Sequence, residues 1–211
     1  MNSTNTKKNH SFRWPLDATD FEKSATANGQ QNNTLCSQNS NNVNRLTCLA
    51  GQRAKGLVID VPNVCAGAAA LGGRPDYPRI IDEVIGEAPF IGTAVVVVRH
   101  MTEAMNRFLR FLGHRGLSVA IWQPVTTSGV EKSADDVLIA VEALKLAYRS
   151  EVDELVLVSG DSDLRPVARE CRRLGKRMTV AAYQRTIAAS LYVEADAFIA
   201  LSAAHVLVNA R

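Results

Sequence analysis

From about residue 55 onward, short β-branched and aliphatic runs alternate with longer amphipathic stretches. The short runs predict six strands, over residues 57–60, 94–98, 117–122, 155–159, 177–182 and 197–201. The longer stretches predict helices over residues 77–86, 102–113, 134–148, 164–174 and 187–193. Strands that alternate with helices form right-handed βαβ crossovers. We therefore expect an α/β fold, a three-layer sandwich around a mostly parallel sheet of five or six strands.

The first quarter of the chain has no such periodicity. Residues 1–54 are rich in Asn, Ser, Thr and Gln, most densely at residues 28–34 and 37–42. A segment of this composition buries too little apolar surface to offset the entropy lost on ordering. We therefore expect a disordered tail over residues 1–54 and one folded domain over residues 55–211.

The net charge of +3 is unevenly distributed along the chain. Of the 24 Lys and Arg and the 21 Asp and Glu, residues 1–55 hold seven and three, which leaves 17 and 18 for residues 56–211. The predicted domain is therefore close to neutral, and the basic overall charge is weak evidence for nucleic-acid binding.

The sequence lacks the signals of membrane-spanning, secreted and zinc-binding proteins. No apolar run approaches the roughly 20 residues that a membrane helix needs, and the first residues lack the apolar stretch of a secretory signal. The four cysteines form no CxxC pair, and the four histidines fit no zinc spacing. We expect a cytoplasmic protein with reduced thiols and no membrane partner.

Carboxylates stand where two of the predicted strands end. Asp60 ends the first strand, Asp161 and Asp163 follow the fourth, and Asp135 and Asp136 open the longest helix. In open α/β sheets, ligands bind beyond the carboxyl ends of the strands, where the strand order reverses. If the order reverses between these two strands, the acids share one crevice. Carboxylates ~4 Å apart repel unless a cation neutralises them, and oxygen ligands suit Mg²⁺ or Mn²⁺.

Each acid also has a structural interpretation. Asp163 is either a metal ligand or the N-cap of the next helix, and the two roles are compatible. One of Asp135 and Asp136 is expected only to complement the helix dipole. Asp60 and Asp161 stand at strand ends, which offer no helix dipole, and carboxylates avoid burial unless they are paired, so we favour a functional role for both. For Asp161 we also expect no capping role. Asn63 is either a turn residue or a side-chain amide that anchors Asp60 or a substrate phosphate.

Four motifs in this order resemble the NYN family of PIN-like metal-dependent nucleases, over about residues 56–202. The motifs are Val58-Ile-Asp-Val-Pro-Asn63, Ala134-Asp-Asp-Val137, Leu157-Val-Ser-Gly-Asp-Ser-Asp-Leu-Arg-Pro166 with Leu174-Gly-Lys176, and Leu191-Tyr-Val-Glu-Ala-Asp-Ala-Phe198. Two departures stand out: Leu164 occupies a position that is usually Phe, and Val61-Pro62 replaces small residues. Asp196, in the last motif, has either a structural or an indirect role.

The resemblance implies that the chain hydrolyses RNA, which we expect to be single-stranded and cut endonucleolytically. It implies Asp60, Asp136 and Asp161 as the catalytic acids, which would hold one or two Mg²⁺ or Mn²⁺ ions, with Asp163 and Asp135 as further ligands. Register against the family pattern favours Asp136 over Asp135. The candidates for orienting ligands or binding substrate are Asn63, Ser159, Ser162, Lys132 and Arg165.

Other interpretations remain open. Lys132 and Arg165 are equally compatible with solvated surface charges. The chain could also be a catalytically silent NYN module that binds RNA or a protein partner, although such modules usually lose one or more of the core acids. A homo-oligomer is compatible with the sequence as well.

Overall fold

The computed structural model of the chain describes residues 53–127, 130–132 and 134–208, without the side chains of residues 125–133. Apart from its last two residues, the predicted tail therefore lies outside the described residues. The division of the chain into a tail and a domain stays a prediction.

The elements alternate along the chain as the periodicity predicts. The strands are β1 (Ala54–Asp60), β2 (Arg74–Pro75), β3 (Phe90–Val97), β4 (Leu117–Trp122), β5 (Val125–Thr127), β6 (Val130–Lys132), β7 (Val152–Val158), β8 (Arg177–Tyr183), β9 (Ala197–Leu201) and β10 (Val206–Leu207). The helices are α1 (Val61–Ala69), α2 (Tyr77–Ile85), α3 (Glu103–His114), α4 (Asp135–Ala147), α5 (Arg165–Arg173) and α6 (Ala189–Tyr192). Two 3-10 turns cover Ser162–Leu164 and Ala203–His205. The predicted α/β fold is confirmed, although α1 and the short strands β2, β5, β6 and β10 were not predicted.

The central sheet has six strands in the order β4-β3-β1-β7-β8-β9, and every neighbouring pair is parallel. The chain builds outward from β1 to β4, then returns to the other side of β1 and continues through β7, β8 and β9. The strand order therefore reverses between β1 and β7. In such a sheet the crevice beyond the carboxyl ends of these two strands is the usual place for a ligand.

Both faces of the sheet are covered. Along β1, Leu57 and Ile59 face a core cluster with residues of α1, α2 and α3, whereas Val58 faces a second cluster with residues of α4 and α5. This alternation follows the period of two of a β-strand, and a strand buried on both faces must be apolar throughout. Burying each such side chain stabilises the fold by roughly 1.5–3 kcal/mol, so β1 and β7 are firm supports for the residues at their carboxyl ends.

Within the described ranges, no helix combines the length and the apolar composition that crossing a membrane requires. The two cysteines that are described, Cys65 and Cys171, are buried and free.

Candidate active site

Asp60 lies at the end of β1 and is at once the N-cap of α1. Its Oδ1 accepts a hydrogen bond of 3.0 Å from the backbone N–H of Asn63, and its Oδ2 accepts one of 2.7 Å from the hydroxyl of Ser159. A capping aspartate followed by proline in the first turn is a common way to start a helix, which explains why α1 follows β1 directly. The sequence analysis did not predict this capping role of Asp60.

The ionisation of Asp60 is perturbed by its surroundings. Only 3% of the residue is exposed, and burial raises the pKa of its carboxyl to about 6. The hydrogen bonds from Ser159 and Asn63 lower this pKa, while the negative charges of Asp136 and Asp135 raise it further. The start of α4 therefore faces the end of β1 closely enough for the three carboxylates to interact.

Ser159 joins the ends of β1 and β7. Its hydroxyl donates to Asp60 and accepts a hydrogen bond of 3.2 Å from the backbone N–H of Asp161. Because the residue is only 1% exposed, this hydroxyl is enclosed between the two aspartates. The geometry gives Ser159 a role in orienting the acids, one of the two roles that the resemblance leaves for it.

Asn63 fixes the loop that carries Asp161. Its side-chain Oδ1 accepts a hydrogen bond of 3.0 Å from the backbone N–H of Gly160. The residue lies in the first turn of α1, not in a loop after Pro62, and its backbone N–H, not its amide, bonds Asp60. The amide therefore holds the end of β7 against the start of α1.

Asp161 has a capping role in the structure, and Asp163 does not. The Oδ1 of Asp161 accepts a hydrogen bond of 2.9 Å from the backbone N–H of Asp163, which makes Asp161 the N-cap of the 3-10 turn. The N-cap of α5 is Leu164, and it makes no side-chain capping bond. The expectation that no cap explains Asp161 was wrong, and Asp163 is an exposed residue of the turn.

The other predicted residues lie on α4, on β6 and in the segment that follows β7. Asp135 and Asp136 are half-buried in the first turn of α4, and Ser162 donates a hydrogen bond to Asp163. Arg165, the first residue of α5, is exposed and donates from Nε to the carbonyl oxygen of Ser162. Lys132 is the last residue of β6, and its side chain lies outside the described residues.

Asp196 lies beside the amino ends of strands β8 and β9, opposite the carboxyl ends where the other acids lie. Its Oδ2 accepts a hydrogen bond of 2.8 Å from the backbone N–H of Met178, and its own N–H donates to the Met178 carbonyl. These bonds join the start of β8 to the residue before β9. Of the two roles left open for Asp196, the geometry supports the structural one.

The turn after β8 is a part of the site that the sequence analysis missed. The backbone N–H of Ala188 donates to the carbonyl of Gly160, and a Cβ at Gly160 would lie 2.3 Å from the carbonyl oxygen of Thr186. Residues 186–188 therefore pack directly against the loop that carries Asp161 and Asp163, residues 160–164, which we call the acidic loop. Only the adjacency of β7 and β8 creates this contact, so no local sequence signal could have revealed it.

Within the part of the chain that the structure describes, no three carboxylates, histidines or cysteines are grouped closely enough to hold a metal ion as they stand. The donors nevertheless suit a divalent cation: they are carboxylates, and the repulsion from Asp135 and Asp136 contributes to the raised pKa of Asp60. A cation beside Asp60 would relieve that repulsion. The residues present thus fit Mg²⁺ or Mn²⁺ in chemistry.

Comparison with known proteins identifies a family and a shared fold. The sequence profile of the NYN domain matches residues 56–202. The chain is also similar to a crystal structure of a protein of unknown function from Vibrio parahaemolyticus. The TM-score is 0.67 and the sequence identity 24%, over 75% of this chain and 98% of that chain. At this identity, the likeness shows the fold alone. No curated protein matches the chain in sequence.

Proposed function

The chain belongs to the NYN domain family, whose domains are nuclease-like hydrolases with RNA-related functions, and from that premise we propose that it is a metal-dependent endoribonuclease. Its substrate is single-stranded RNA, and it hydrolyses phosphodiester bonds within the strand. The acids are Asp60, Asp136 and Asp161, with Asp163 and Asp135 beside them.

One observation carries the proposal. Asp60 is buried at the reversal of the strand order and shares the hydroxyl of Ser159 with the backbone of Asp161. The charges of Asp136 and Asp135 act on the same carboxylate. A fold gains no stability from collecting negative charges around a buried acid, so this arrangement favours a site that binds a cation.

In the proposed reaction the protein supplies position and charge. Asp60, Asp136 and Asp161 would hold the cation, and Ser159 and Asn63 keep the ends of β1 and β7 in register. Mg²⁺ or Mn²⁺ bound there would act as a Lewis acid, lowering the pKa of a water molecule and stabilising negative charge on the phosphate. Arg165 and Lys132 are proposed to hold neighbouring phosphates of the strand through charge-assisted hydrogen bonds.

The test uses the full chain with end-labelled single-stranded RNA and DNA, in Mg²⁺, in Mn²⁺ and in EDTA. We expect internal cleavage of RNA in the metals and none in EDTA. Asp161→Asn should reduce the rate by at least about a hundredfold, because it removes one carboxylate from the cation site. Asp196→Asn is the matched control: it changes an aspartate of a family motif that lies beside the amino ends of β8 and β9.

The outcomes separate the alternatives. Cleavage that persists in EDTA, or that proceeds at the wild-type rate in Asp161→Asn, would contradict the proposed mechanism. No cleavage in either metal, together with retained binding of RNA, would favour the catalytically silent module.

A further inference from the structure

Most of the exposed arginines on α5 are neutralised by carboxylates. Arg169 and Arg172 form ion pairs with Glu194, and Arg173 forms one with Glu170. Arg165, at the end of the helix nearest the acidic loop, is the exception: among the described residues it has no carboxylate partner, and it bonds only the backbone of Ser162. An arginine left unpaired beside a group of acids retains its charge for another anion.

A second unpaired arginine lies in the turn that packs against the same loop. Arg185 is exposed in the turn after β8, and no acid of the described residues pairs with it. The turn is held by a hydrogen bond of 2.8 Å from the Thr186 N–H to the Tyr183 carbonyl. Because Thr186 also packs against Gly160, the backbone of Arg185 has a fixed place next to the acidic loop.

The geometry points to Arg185 as a phosphate-binding residue that acts with Arg165 on the β8 side of the crevice. This inference rests on the proposed function and deepens it. RNA brings a negative charge with every nucleotide, and the carboxylates of the crevice repel it. Cationic side chains at the end of the acidic loop and in the turn packed against it offset that repulsion and hold the RNA beside the carboxyl ends of the β-strands, toward β8. Contacts of this type bind the backbone without reading its bases.

The test separates binding from cleavage. Binding of labelled oligouridine to the full chain is measured in EDTA at several salt concentrations, and steady-state cleavage is measured in Mn²⁺. The variants are Arg185→Ala and Arg185→Lys, and the control is Arg169→Ala, an exposed arginine of α5 that is paired with Glu194.

We expect Arg185→Ala to weaken binding by about three- to tenfold, and to reduce the slope of log affinity against log salt by about 0.7. KM should rise by a similar factor while kcat stays within about twofold, because the contact is made equally in the ground state and the transition state. Arg185→Lys should restore the salt slope, since it restores the charge. Arg169→Ala should bind like the wild type.

An unchanged affinity and salt slope in Arg185→Ala would overturn the inference, and so would a loss that Arg185→Lys does not restore. If the wild type cleaves RNA while Arg185→Ala behaves normally, the inference fails and the proposed function stands. If the wild type binds RNA through Arg185 but never cleaves it, the inference stands and the nuclease proposal fails. A wild type that neither binds nor cleaves RNA would overturn both.

Discussion

At the scale of single residues, opposing influences act on the carboxyl group of Asp60. Burial and the charges of Asp136 and Asp135 raise its pKa, whereas the hydrogen bonds from Ser159 and Asn63 lower it, and the balance lies at about 6. The two hydrogen bonds are thus too weak to keep the buried carboxylate at the pKa of an exposed aspartate. A cation is the natural complement of such a group, because it offsets the cost of burying the charge.

This balance predicts how stability depends on pH. A carboxyl whose pKa is higher in the folded than in the unfolded chain favours folding when protonated, and this contribution is lost as the pH rises from about 4 to about 6. A shift of this size corresponds to about 3 kcal/mol in the free energy of unfolding. In EDTA, Asp60→Asn should therefore gain stability relative to the wild type over this range, by up to that amount. Urea denaturation of both proteins at pH 4 to 7 measures the difference.

The stability of the same two proteins can also be compared with and without a metal ion. Mn²⁺ at pH 7 should stabilise the wild type against unfolding and leave Asp60→Asn almost unaffected, because a ligand stabilises only the folded state that binds it. The idea would be contradicted by a stability difference between the two proteins that is constant from pH 4 to pH 7. Equal stabilisation of both proteins by Mn²⁺ would show that the cation does not depend on Asp60.

The sequence analysis placed Asp60 at the end of one strand and Asp161 just after another, as in the structure, but it could not say what their carboxylate oxygens bond. Asp161 and Asp163 are two residues apart, and either could cap the adjoining turn. The direction of the chain after Gly160, which is set by its contacts with Asn63 and with the turn after β8, brings the N–H of Asp163 to Asp161. Such contacts come from distant parts of the chain and leave no local pattern.

At the scale of elements, strands that are buried on both faces were the easiest to predict. Runs such as residues 94–97 of β3 and 155–158 of β7 are short and rich in β-branched and aliphatic residues, which favours strands over helices. Helix α1 was missed because Val61-Pro62-Asn63 is also a common turn sequence, and the capping bond to Asp60 decides in favour of a helix. The short strands β2 and β10 exist only because they pair with each other, although they are separated by about 130 residues.

The contact between the acidic loop and the turn after β8 predicts that replacing Gly160 destabilises the fold. In Gly160→Ala, the added Cβ would lie 2.3 Å from the Thr186 carbonyl oxygen, so the turn or the loop must move. The shift should strain the bonds of Gly160 to Asn63 and Ala188. We expect a loss of about 1–3 kcal/mol in the free energy of unfolding, as overpacking typically costs, measured by urea denaturation. The rate of RNA cleavage should fall as well, because Asp161 is the next residue.

The matched control is Gly113→Ala. Gly113 lies in α3, far along the chain from the acidic loop, and a Cβ there would meet nothing within 4 Å. Alanine is the better helix former by up to about 1 kcal/mol, so this variant should be more stable than the wild type and equally active. If Gly160→Ala had the stability and activity of the wild type, the contact would have no part in shaping the site.

At the scale of the whole molecule, the strand order brings the acids together. β1 and β7 are separated by about 90 residues, yet they are neighbours in the sheet because the chain crosses back after β4. Periodicity alone predicts that strands exist and leaves their order open, so the shared crevice was at first a conditional expectation. The resemblance to the NYN family implied that the acids form one site but gave no strand order, so the order comes from the structure alone.

The same architecture predicts what a shortened chain can do. All the described elements and every proposed site residue lie between residues 53 and 208, and β1 begins at Ala54. A chain that starts at Arg53 should therefore keep the midpoint of thermal unfolding and the kcat of the full chain. Residues 1–52 contain five Lys or Arg and three Asp or Glu, so their removal takes away only a small positive charge and should weaken RNA binding modestly, and only at low salt. Thermal unfolding and cleavage kinetics of the two chains, compared at low and high salt, measure this. A large fall in the unfolding midpoint, or a lost kcat, would mean that the first 52 residues complete the fold or the site.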